Sequence, residues 1–201
     1  RNYTAGGIGN NTSTVGITVS TVTSNTDGDD YVTGYQKYIA SLVGKTMGNL
    51  TIETSMLNDM PIRSNYTGAG DIEYVAGVMG SVEGNVTTNQ ITNAATGVVS
   101  TLSGTNMKYV AGIAGNITGA VSFNGEILND ANVNATAASK VVNGQYIGGV
   151  YGNVTGDIVA DGNFSFTNNG NVGYYASGSN YSAFTVVGGI VGQLSNSGTA
   201  N

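Results

Sequence analysis

The sequence predicts an all-β fold, a repetitive β-solenoid of about six stacked β-arch repeats of roughly 35 residues each. Three observations carry that expectation. One short phrase recurs along the whole chain at nearly constant spacing. Each copy alternates with the period of a strand. Residue size at each position is kept from copy to copy.

The phrase occurs as YTAGGIG from Tyr3, YIASLVG from Tyr38, YVAGVMG from Tyr74, YVAGIAG from Tyr109, YIGGVYG from Tyr146 and VVGGIVG from Val186. Its starts lie 35, 36, 35, 37 and 40 residues apart, which divides residues 1–201 into a single repeat domain. Alternate residues of a strand share a face. Along the fourth copy one face reads Tyr109, Ala111, Ile113, Gly115, Ile117, Gly119, Val121. The fifth reads Tyr146, Gly148, Val150, Gly152, Val154, Gly156, Ile158, with the same order of sizes. Stacked strands lie about 4.8 Å apart, so matched columns place like side chains above one another. The expectation is Ile and Val ladders in the core and a stacked column of Tyr38, Tyr74, Tyr109 and Tyr146. Glycine in a strand costs about 0.5–1 kcal/mol against alanine. Glycines arranged in columns therefore imply close approach of another strand or a tight corner.

The second half of each repeat is less regular. Short β-prone runs (Gly97–Leu102, Val121–Leu128, Asn163–Thr167) alternate with polar punctuation. Asn124-Gly125, Asn143-Gly144 and Asn169-Gly170 read as turns with positive φ. A repeat so read holds two or three strands. The rival fold is a β-propeller, whose blades need four strands in about 40–45 residues.

Composition removes several classes of function. Charged residues make up 9% of the chain, with six basic residues and a net charge of −6. No surface for tracking nucleic-acid phosphates can be built from so few cations. Cysteine and histidine are absent, so Ser-His and Cys-His nucleophile pairs and the usual zinc sites are not available. No run is long and apolar enough for a membrane-spanning helix. Neither a cofactor nor a metal is expected. The acidic cluster TDGDDY (Asp27, Asp29, Asp30) fits no EF-hand spacing and reads as a solvated turn. No two of the other carboxylates occupy matching positions in neighbouring repeats, and the expectation is a protein that is not an enzyme. Tyr174, Tyr175 and Tyr181, in a Gly/Ser-rich stretch, form a weaker candidate platform for carbohydrate.

VGGIVGQLSNSG (Val187 to Gly198), YIGGVYGNVTG and YVAGIAGNITG resemble the GLUG motif, a glycine-rich repeat of prokaryotic cell-surface proteins. YIASLVGKTMGNL departs from it by losing the first glycines. The resemblance spans about eleven residues per copy. It implies β-repeat folding and a location at the cell surface, and it brings no catalytic residues.

Asn-x-Ser/Thr occurs at Asn2, Asn10, Asn11, Asn49, Asn65, Asn85, Asn116, Asn134, Asn153, Asn163 and Asn180. These are candidate N-glycosylation sites if the protein is exported, since glycans supply hydration that charges here do not. An inter-repeat Asn ladder competes with that reading. Asn116 and Asn153 alternate with the core set and are expected to face outward. Val75, Met79, Ile147, Tyr151, Val187 and Val191 share that face, as an apolar stripe too large to leave wet. Either the rest of the repeat covers the stripe, or it forms a lateral interface with another subunit.

Solenoids need protected ends. Arg1 opens almost directly on a repeat and the sixth phrase lies near the C-terminus, with neither a polar cap nor a signal peptide in view. The expectation is that the array is a piece of a longer one or that neighbouring copies stack on it head to tail. The function expected from the whole is an extracellular structural protein that self-assembles by β-stacking into a sheath, surface layer or filament. The alternative is the stalk or passenger region of a cell-surface adhesin.

Overall fold

A computed structural model describes residues 3–5, 7–24, 32–34, 37–65, 72–101, 107–137, 145–160, 162, 164–176 and 185–195. All regular structure among them is β, in four parallel sheets that run the length of a solenoid. Sheet A holds Tyr3–Ala5, Tyr38–Ala40, Ile72–Ala76, Met107–Ala111, Gln145–Gly148 and Thr185–Gly188. Sheet B holds Ile8–Asn11, Val43–Thr46, Met79–Val82, Ala114–Ile117, Tyr151–Val154 and Val191–Leu194. Sheet C is built on Ile17–Ser24, Leu50–Asn58 and Val86–Asn93, then on two split levels, Val121–Phe123 with Glu126–Asn129 and Ile158–Ala160 with Ser165–Asn168. Sheet D holds Val32–Gly34, Ile62–Ser64, Val99–Thr101, Val133–Ala137 and Val172–Ala176.

The repeated phrase sets the register. Cα partners in sheet A run Tyr3, Tyr38, Tyr74, Tyr109, Tyr146, Val186, the phrase starts in order. Among the described residues the first three turns contribute four strands each and the next two, with their split sheet C levels, five each, rather than two or three. The fold is still no propeller, because every ladder is parallel and joins one turn to the next.

The phrase itself is two strands rather than one. The chain bends at Gly112 and Ile113, so Met107–Ala111 joins sheet A and Ala114–Ile117 joins sheet B. A and B then lie back to back through the glycine column of B. A Cβ placed on Gly115 would sit 3.0 Å from the Tyr109 carbonyl oxygen and 2.7 Å from that of Gly80. No larger residue allows that approach. The outer arch of C and D wraps this inner arch, giving the layer order C, B, A, D.

Two apolar clusters result. Between A and D lie Ile39, Val75, Val110 and Ile147 with Ile62, Val99 and Val133. Between B and C lie Met79, Ile117, Tyr151 and Val154 with Leu50, Val86, Ile91, Val121 and Ile127. Each fully buried Val or Ile contributes roughly 1.5–3 kcal/mol, and each column repeats that contribution at every level. Strands of A and B are covered on both faces, which is why they read as nearly continuous apolar runs.

The positive-φ turns expected at Asn-Gly are not found. Among the described residues Gly162 alone has a left-handed φ, at 79°. Gly125 and Gly170 instead sit where the preceding turn's backbone approaches, the Asn89 carbonyl at one and the Ala131 carbonyl at the other. Gly144 lies outside the described residues.

Candidate functional site: the axial ladders and their rims

The tyrosine column stacks as its spacing requires. Ring centroids are 4.7 Å apart for Tyr38–Tyr74, 4.9 Å for Tyr74–Tyr109 and 4.9 Å for Tyr109–Tyr146, with planes 4°, 4° and 14° from parallel. The rings are half-buried at the free end of the inner arch. Lys45 Nζ stands 5.5 Å from the Tyr38 ring centroid and pairs with Glu83 at 2.5 Å. Burial raises the Tyr74 hydroxyl above the usual tyrosine range, reinforced by Tyr38, Tyr109 and the Glu83 carboxylate. Burial raises Tyr109 in the same way, with Tyr146 adding to it.

A polar column follows in sheet B: Asn10, Lys45, Ser81, Asn116, Asn153 and Gln193 are Cα partners in turn. Asn153 Nδ2 donates to Asn116 Oδ1 at 2.8 Å, and Asn116 Nδ2 lies 3.5 Å from Ser81 Oγ. Asn116 and Asn153 are 7% and 8% exposed. The expected outward orientation is thus corrected: the turn at Gly112 shifts the alternation, and both amides close an inter-turn ladder. A glycan on either would have to be accommodated inside the wall.

The other sequons fall into three groups. Asn10, Asn49, Asn85 and Asn134 are exposed, while Asn11 and Asn65 are half-buried. Asn2, Asn163 and Asn180 lie outside the described residues. Asn49 and Asn85 occupy one corner of consecutive turns. Asn49 Oδ1 accepts from the Asn85 backbone N–H at 2.9 Å, and Asn85 Oδ1 accepts from that of Ala120 at 2.9 Å.

The apolar stripe is interior. Val75 and Ile147 are buried under sheet D, and Met79 and Tyr151 under sheet C, all 0% exposed. A lateral interface on those four residues is excluded, because the outer arch already covers them. Val187 is 46% exposed and Val191 half-buried, both in the last described level, which among the described residues has no C or D strand of its own.

One ladder and one buried ion pair escaped sequence reasoning. Asn58, Asn93, Asn129 and Asn168 end the strands of sheet C and hand one hydrogen bond from turn to turn, at 2.7, 2.8 and 2.7 Å. Each also donates to a carbonyl just beyond the corner: Met60, Gly97, Ala131 and Gly170. The fourth-position glycine of the phrase makes room for it, since a Cβ on Gly77 would lie 2.8 Å from Asn93 Cγ. Asn after an apolar-x pair at 35, 36 and 39 residue intervals was the available signal. The second missed feature is ionic. Lys108 Nζ donates to Glu73 Oε2 at 2.9 Å with both side chains 0% exposed, one position before the tyrosines of neighbouring turns.

Among the described residues no group of three or more carboxylates is placed to hold a metal ion. TDGDDY and Tyr181 lie outside the described residues, and Tyr174 and Tyr175 are placed only as strand positions paired with Ala135 and Thr136. The arrangement as a whole binds turn to turn through stacked rings, amides and the ion pairs Lys45–Glu83 and Lys108–Glu73. Compared with known protein families, curated proteins and solved structures, the chain has no match.

Proposed function

We propose that the chain is a non-catalytic structural repeat protein of the cell exterior that assembles by continuing its ladders from copy to copy into a sheath, surface layer or filament. The observation that carries this reading is the in-register parallel ladder itself. Among the described residues each end strand of sheets A, B and D pairs on one side, and its far edge offers backbone N–H and C=O groups to a further turn. A second copy offers the same classes of residue: Tyr3 and Val186, Ile8 and Val191, Asn10 and Gln193 are the first and last members of their columns. Head-to-tail contact of this kind is heterologous and propagates. The low charge and the GLUG-like phrase support an exterior location, and the exposed sequons at Asn10, Asn49, Asn85 and Asn134 are the candidate glycan sites.

Electron microscopy of the purified protein tests the reading. Ordered polymers support it. Monomeric rods at all concentrations overturn it in favour of the stalk of an adhesin. Glycan mass spectrometry of the native protein tests the location, with modification expected at the exposed sequons and absent from Asn116 and Asn153.

A further inference from the structure

In a repeat scaffold the levels that depart from the repeat are where binding loops sit. The largest departure in sheet C is in its last level. Two residues, Asn124 and Gly125, separate Phe123 from Glu126, whereas four (161–164) separate their partners Ala160 and Ser165. This insertion holds Gly162, the left-handed residue among those described, and Phe164, 54% exposed. Phe164 is not loose: its ring meets Phe123 edge to face, centroids 5.5 Å apart and planes at 89°. Phe123, 4% exposed, ties the Phe164 ring to the core while Phe164 itself stays open to solvent. Beside it is a shallow depression lined by Gly125, Glu126, Gly162, Phe164 and Ser165. Gly162 packs against the Asn124 side chain at the edge of the depression, where a Cβ would lie 2.6 Å from Asn124 Oδ1. Ser165 Oγ lies 3.5 Å from Glu126 Oε1 across it.

We propose that this depression is a subsite for a neutral pyranose. The apolar C–H face of the sugar lies on the Phe164 ring. Adjacent ring hydroxyls donate to the Glu126 carboxylate, which accepts two hydrogen bonds at once, and Ser165 Oγ donates to or accepts from a third. An ammonium ligand suits the site less well. Cation–π attraction is strong only when desolvated and is better with Trp or Tyr, and an exposed carboxylate in open water adds little. A single small ligand on an open surface binds in the millimolar range. Repetition of the subsite on assembled copies multiplies the avidity.

Saturation-transfer difference NMR on the intact protein tests this, with the methyl β-pyranosides of glucose, galactose, mannose and N-acetylglucosamine as probes and tetramethylammonium as the cationic control. Saturation is expected to reach the ring C–H protons of at least one pyranoside. Phe164→Ala is expected to weaken that binding about tenfold or more, Glu126→Gln to weaken it, and Phe164→Tyr to retain it. A Val159→Ala variant, altering an exposed neighbour on the same sheet, leaves binding unchanged and controls for folding. Absence of transfer to every pyranoside, transfer unaffected by Phe164→Ala, or binding of tetramethylammonium alone overturns the proposal.

Discussion

Asn93→Ala removes the central member of the buried amide ladder. Asn93 accepts from Asn58 Nδ2 at 2.7 Å and donates to Asn129 Oδ1 at 2.8 Å and to the Gly97 carbonyl at 3.1 Å. A net hydrogen bond is worth about 0.5–1.5 kcal/mol, and a buried group left without its partner costs about 1–3 kcal/mol. Three bonds lost, with an amide N–H on one side and an amide oxygen on the other stranded at 0% exposure, amount to about 3–5 kcal/mol. Asn93→Asp preserves size and the bond from Asn58 but turns a carboxylate toward two acceptors. Its buried acid is held above the unfolded value, so this variant is most stable in acid and loses stability as pH rises. Urea unfolding followed by far-ultraviolet circular dichroism gives the midpoint. Hydrogen exchange of the amides in Leu50–Asn58, Val86–Asn93 and Glu126–Asn129 localises the loss, because repeat arrays open in neighbouring units. Stability of Asn93→Ala within about 0.5 kcal/mol of the parent, the range of ordinary surface substitutions, would refute the reasoning.

Four further outcomes follow from the same structure. Gly149→Ala is expected to prevent folding or cost more than about 3 kcal/mol, because its Cβ would overlap the Gly189 carbonyl and the Asn168 amide. Gly189→Ala, at the equivalent phrase position with nothing within 4 Å, is expected to be tolerated in thermal melts. Tyr151→Phe is expected to stabilise by about 1 kcal/mol, since the Tyr151 hydroxyl is buried without a hydrogen-bond partner; a lower melting temperature would show that it has one. Lys108→Met is expected to cost about 3–5 kcal/mol, while the double variant with Glu73→Met recovers most of the loss, the behaviour of a buried pair. In an alkaline titration, Tyr74, Tyr109 and Tyr151 have raised folded pKa values, so the stability of the fold is unaffected by them below about pH 10 and falls as pH rises through the folded values. Phenolate absorbance is therefore expected to show these three ionising late and together with loss of structure.

Columns that run along one sheet were legible in the sequence. The tyrosine stack needed only the recurrence of Tyr38, Tyr74, Tyr109 and Tyr146, because in a parallel ladder equal sequence position becomes equal height. The glycine columns were equally legible as sites of close approach. Corners were not. The stretch from Tyr109 to Val121 keeps an alternating pattern while crossing from sheet A to B and on to C, so period alone gives no sign of the bend at Gly112. One face was therefore assigned across three sheets, and Asn116 was placed outside when it lies inside, whereas Met79 and Tyr151 are covered by the rest of the repeat, one of the two readings of their stripe. Burial on both faces of A and B erased the contrast that would have shown the error. The Asn58–Asn168 ladder was hidden differently: asparagine is abundant here, and strand-end and loop asparagines look alike without the register.

The central claim is that each phrase copy stacks in parallel register on the next. Because the chain has no cysteine, an engineered pair reports alone. Thr51 and Thr87 are Cα partners in sheet C, and Thr87 pairs in turn with Ser122. Adjacent levels lie about 4.8 Å apart, and a disulfide requires Cα atoms within about 7 Å. Mild oxidation of Thr51→Cys/Thr87→Cys is predicted to give a quantitative intramolecular disulfide on non-reducing mass analysis, and Thr51→Cys/Ser122→Cys, two levels apart, to give none. Failure of the first pair, or equal cross-linking of the second, would contradict the ladder.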